Sequence, residues 1–60
     1  MMTNHEKLVE LFEAYVSENQ KFTEKGVKAA ATRARKALAD IGKLAKVRRV
    51  EIQEKKNAMK

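Results

Sequence analysis

Residues 22–36 read FTEKGVKAAATRARK, and the fold turns on Gly26 in the middle of that run. Lys25, just before it, is a cation suited to the negative end of a helix, and glycine best tolerates the left-handed conformation that closes a helix terminus. A first helix is therefore expected to stop at this point. A second should begin near Val27 or Lys28 and continue to about Asn57, because nothing in that stretch breaks it. No Pro, two Gly and an abundance of Ala, Lys, Glu, Arg and Leu favour helix on both sides of the junction.

Upstream, Thr3 and Glu6 have the T-x-x-E spacing of a capping box, in which the Thr hydroxyl and the Glu carboxylate each satisfy a free backbone amide. This predicts a first helix over about residues 4–24, a turn at 25–27 and a second helix over about 28–57, together one helical-hairpin domain. In the first helix Leu8, Phe12, Tyr15 and Phe22 form a seam of period 3.5 to 3.6, widened by Val9, Leu11 and Val16. Asn19 fills the vacant core position, either as a boundary residue or as a register-setting polar group. In the second helix a wheel of about 100° per residue gathers Ala30, Ala34, Ala37, Leu38, Ile41, Leu44, Ala45 and Ile52 on one side. Gly42 lies within it, consistent with close packing or a slight kink.

The expected fold class is thus all-α, an antiparallel two-helix hairpin. At about 1.5 Å per residue the second helix, roughly 45 Å long, overhangs the first, roughly 32 Å. Val47, Val50, Ile52 and Met59 on the overhang call for either a partner subunit or fraying. Sixty residues hide little apolar surface when folded alone. There is no Cys to form disulfides, and His5 as the single imidazole cannot build a closed zinc site. Oligomerisation remains, and a homodimer forming a four-helix bundle or coiled coil is expected, with no metal and no cofactor.

Charge is sorted along the chain. Residues 1–24 carry two Lys against five Glu, a net −3, whereas residues 25–60 carry twelve Lys/Arg against Asp40, Glu51 and Glu54, a net +9. On the second helix Lys28, Arg35, Lys36, Lys43 and Lys46 collect opposite the apolar side, with Arg49 on one flank. Local positive charge of one sign attracts polyanions, so nucleic acid is the leading partner. Arg33, Arg35, Arg48 and Arg49 add planar forks suited to phosphate oxygens, and the start of the second helix adds free amides beside Lys25 and Lys28. The candidate DNA-binding set is therefore Lys25, Lys28, Arg33, Arg35, Lys36, Lys43, Lys46, Arg48 and Arg49. The bland alternative is a solvated lysine-rich face of the kind common on helical coiled coils.

Nothing in the basic half suits base reading, since it has no Asn or Gln set for adenine edges and no stacking aromatic. Phosphate contacts imply weak sequence selectivity, and neutralising about six phosphates implies a log-log salt slope near −5. No enzyme constellation is present: Ser17, the single Ser, has neither a nearby His nor a Gly-rich turn, and Glu10 with Glu13 reads as a solvated edge. Gly26 alone makes no phosphate-binding loop, and no small-molecule substrate is expected. No apolar run approaches the roughly 20 residues that span a bilayer, and the N-terminus lacks a signal-peptide layout, so a soluble cytoplasmic protein is expected.

The stretch at residues 22–36 resembles the signature of bacterial linker-histone-like proteins of the chlamydial type. Lys25, Gly26, Lys28, Ala29, Ala30, Arg33 and Arg35 match a K-G-x-K-A-A-x-x-R-x-R pattern. The likeness continues more loosely through Ile41, Leu44, Ala45, Arg48, Arg49 and Glu51. The resemblance implies DNA binding without strong sequence preference, compaction of the nucleoid, and Lys25, Lys28, Arg33 and Arg35 as core contacts. Family members commonly have Asn after the Gly, a good helix cap, where this chain has Val27. They also continue into a long Lys/Ala-rich tail, whereas the sequence here ends at Lys60, so bridging or coating of DNA by a dimer is the expected mode.

The expected function is a nucleoid-associated, histone-like protein that binds double-stranded DNA, with the preference between DNA and RNA left open. Its competitor is a helical protein-interaction module whose basic face docks an acidic partner. A membrane-surface helix is disfavoured, because the apolar stripe of the second helix is largely Ala without Trp or Phe.

Overall fold

The structure, a computed structural model, describes residues 2–59 and consists of two helices, α1 (Asn4–Lys25) and α2 (Lys28–Ala58), packed against each other. No strand occurs among the described residues. The all-helical hairpin expected from the sequence is what forms. Asn4 at the start of α1 meets Glu51 late in α2, and Glu18 meets Arg33, so the helices run antiparallel. The result is a rod of 50 × 18 × 17 Å.

Both ends of α1 are closed by the devices legible in the sequence. Thr3 accepts from the Glu6 amide at 3.1 Å through its hydroxyl, and its own amide donates to Glu6 Oε1 at 3.1 Å. The reciprocal bonds satisfy two amides that the helix itself leaves free. They also hold the Glu6 carboxyl below its ordinary pKa, chiefly through the Thr3 amide and then through the Thr3 hydroxyl. At the other end Gly26 takes φ 68°, ψ 27°, and its amide donates to the Phe22 carbonyl at 3.0 Å. Together with the Val27 amide, which donates to the Lys21 carbonyl at 3.4 Å, that bond closes a left-handed cap that turns the chain toward α2. Val27 is extended and gives α2 no side-chain cap.

Small residues line the contact. Ala30, Ala34 and Ala37 are buried, Ala30 completely, and no large side chain among the described residues is fully buried. Leu8, Leu11 and Tyr15 of α1 and Ile41, Leu44 and Ala45 of α2 are half-buried around them. Alanine at three successive turns brings the backbones together, so the core is thin and its larger members wrap the seam from either side.

The inward-facing set differs from the sequence expectation at six positions. Phe12 is 58% exposed, and Val9, Val16, Phe22, Leu38 and Ile52 are exposed as well. On α1 the inward line runs through Asn4, Leu8, Leu11, Tyr15 and Glu18, which puts Leu11 rather than Phe12 against α2. Phe12 instead leans on Tyr15, with ring centroids 6.1 Å apart. Ile52 lies past the Asn4–Glu51 contact, on the part of α2 that α1 does not cover. Beyond its chain neighbours and the backbone of its own helix, Gly42 has no atom within 4 Å of where a Cβ would stand, so it serves no close packing.

Candidate nucleic-acid interface

Continuous helix through α2 fixes the basic side chains on a common cylinder. Lys28, Arg35 and Lys46 lie within about 20° of one another on a wheel of 100° per residue, with Lys36 and Lys43 on one flank and Arg49 on the other. All six are exposed, as is Lys25 at the end of α1. None of these seven forms an ion pair among the described residues. From Lys28 to Arg49 the ridge runs roughly 32 Å at 1.5 Å per residue, close to one turn of a DNA duplex.

Two of the nine candidate residues sit elsewhere. Arg33 turns toward α1 and donates from Nε to Glu18 Oε2 at 2.9 Å, while Lys21 approaches the other oxygen at 3.7 Å. This clasp ties the two helices near the turn. Arg48 is half-buried in the seam and donates to Glu51 Oε1 at 3.5 Å. Glu51 Oε2 in turn accepts from the Asn4 amide nitrogen at 2.8 Å. Arg48, Glu51 and Asn4 thus close the open end of the hairpin. Neither the Arg33–Glu18 nor the Asn4–Glu51 tie is legible in residue spacing, because each depends on the register of α1 against α2.

The ridge is suited to anionic oxygens. It offers exposed ammonium and guanidinium donors, no neighbouring acid at its centre and no stacking ring. The first amides of α2 lie beside Lys25 and Lys28, and with Val27 as cap they have no side-chain acceptor. Among the described residues no three His, Cys, Asp or Glu side chains gather as a metal site would require. No helix of the described residues is long and apolar enough to cross a membrane.

No curated protein and no solved structure matches the chain. The family described as histone H1-like protein Hc1 matches it over residues 2–58, which bears out the resemblance carried by the junction at Gly26. On that match, which takes in both helices and the turn between them, the chain belongs to the histone H1-like Hc1 family.

Proposed function

We propose that this protein is a nucleoid-associated DNA-binding protein that grips the sugar-phosphate backbone through α2 and compacts or bridges DNA with little sequence preference. The observation that carries the reading is the ridge of Lys28, Arg35, Lys36, Lys43, Lys46 and Arg49, exposed and without ion pairs, in a chain of the histone H1-like family. Lys25 extends the ridge at the turn. Arg33 and Arg48 hold the hairpin in shape and contribute to binding through their free guanidinium nitrogens.

Contacts of this kind neutralise charge without reading bases, so affinity should be similar for unrelated duplexes and fall steeply with salt. The test is fluorescence anisotropy with labelled duplexes of unrelated sequence at several salt concentrations. Six phosphate contacts give a log-log slope near −5, and a slope near zero or no binding at low salt overturns the proposal. Single-stranded RNA of equal length, run alongside, measures the preference between the two nucleic acids.

A further inference from the structure

Along the basic side of α2, Lys28, Arg35, Gly42, Arg49 and Lys56 follow one another at every seventh position, two cations, a glycine and two cations. Seven residues rise about 10.5 Å and return to within about 20° of the same direction, so the line winds slowly around the helix. All five residues are exposed, and the four cations form no ion pair among the described residues. Asp40, Glu51 and Glu54 lie about 140° or more from the neighbouring members of the line.

Gly42 weakens the helix and gains nothing from the rest of the chain. Glycine is among the poorest helix formers, and its usual compensations are missing at this position. Among the described residues Gly26 alone takes a positive φ, and α2 passes through residue 42 unbroken. Beyond its chain neighbours and its own helix backbone, no atom lies within 4 Å of where a Cβ would stand, so no packing requires the missing side chain. A local rule broken without return inside the molecule points to a functional role, and bare backbone admits the close approach of a ligand.

We propose that a DNA duplex crosses α2 at Gly42. There a sugar-phosphate strand comes against the uncovered helix, Arg35 and Arg49 hold phosphates on either side, and Lys28 and Lys56 reach those further out. The inference rests on the proposed function and adds to it a docking point and one further contact, Lys56. Two rods that cross touch at one place and draw apart on both sides. Side chains that bridge them must be absent at the crossing and long to either side of it, which is the order of this line. Arg stands nearer, at about 10.5 Å from Gly42, where its planar fork can take two oxygens of one phosphate. Lys stands at about 21 Å, where a flexible stem carrying a point charge suits a looser contact. Any side chain at residue 42 would be a spacer that lifts both Arg from the strand.

Gly42→Ala and Gly42→Leu test the crossing, with Gln20→Leu on the exposed side of α1 as a control for added bulk. Each is measured by anisotropy with the labelled duplexes and by thermal unfolding. Both Gly42 variants should melt above the natural chain, because Ala and Leu are better helix formers, yet bind DNA more weakly. For Gly42→Leu the loss at fixed salt should be roughly tenfold or more and the salt slope shallower by about 2, since each phosphate contact accounts for about 0.9. A more stable protein that binds less well is a result that a purely structural role of Gly42 does not produce. Gln20→Leu should bind as the natural chain does, and Lys56→Ala should make the slope shallower by about 0.9. Equal affinity and slope for Gly42→Leu and the natural chain overturn this inference alone, as does an equal loss for Gln20→Leu. An unchanged slope for Lys56→Ala overturns the assignment of that contact. A natural chain that fails to bind at low salt overturns the proposed function and the crossing with it.

Discussion

Replacing Gly26 with Ala and, separately, Gly42 with Ala makes the same chemical change at two points of one chain and should shift stability in opposite directions. At Gly26 there is room for a methyl group, since nothing lies within 4 Å of the added Cβ, but φ is +68°. An L-residue pays about 1–2 kcal/mol for that conformation, partly offset by the reduced freedom of the unfolded chain. The net loss should be about 1 kcal/mol. At Gly42 the space is equally open and the backbone is ordinary helix, so Ala should gain about 1 kcal/mol through helix propensity. In a chain of this size each change moves the melting midpoint by roughly 4–8 °C, downward for Gly26→Ala and upward for Gly42→Ala. Thermal unfolding followed by circular dichroism at one fixed protein concentration measures both. A rise in midpoint and helicity for Gly26→Ala would refute the reasoning, because it would mean that the two helices run on as one through residue 26.

Val27→Asn should supply the missing cap of α2 and add about 1 kcal/mol, read from the same melting curves. The Glu6 carboxyl, held below its ordinary range by Thr3, lends stability that is complete above the unfolded-chain pKa and disappears as pH falls through the lower folded value. Glu6→Gln should therefore flatten the loss of helicity on acidification, and an unchanged acid transition would show that the capping box contributes nothing. Arg35→Ala with Lys46→Ala should leave helicity intact and make the salt slope of DNA binding shallower by about 2, since each lost phosphate contact removes about 0.9. Arg33→Ala should also destabilise the hairpin, as the Glu18 clasp is released, by at most about 1 kcal/mol given its half-exposed setting, read as a lower melting midpoint.

What could be read from the sequence followed locality. Thr3 with Glu6, and Lys25 with Gly26, determine their own helix ends through bonds that span three or four residues, so their spacing carried the whole signal. The choice between Leu11 and Phe12 was not local. Both fall within the width of an amphipathic stripe, and the alanine seam of α2 decides which of them faces inward. The same holds for Leu38, which shares an apolar arc with Ala34 and Ala37 yet lies outside the contact. Arg33 and Arg48 were legible as cations but not as ties, because Glu18 lies fifteen residues from Arg33 and Asn4 forty-seven from Glu51. The ridge itself, confined to the period of one helix, could be drawn from the sequence alone.

Ala30, fully enclosed one turn after Gly26, gives the hairpin the mechanics of a clothes peg. A larger side chain there would act as a wedge beside the spring. With rigid arms, one ångström of extra separation at that level grows to roughly 6 Å at the far tips, from the ratio of helix lengths at 1.5 Å per residue. The Asn4–Glu51 bond, now 2.8 Å, would not survive such leverage. Ala30→Val should accordingly be felt first at the mouth of the peg, some 32 Å from the inserted methyl groups.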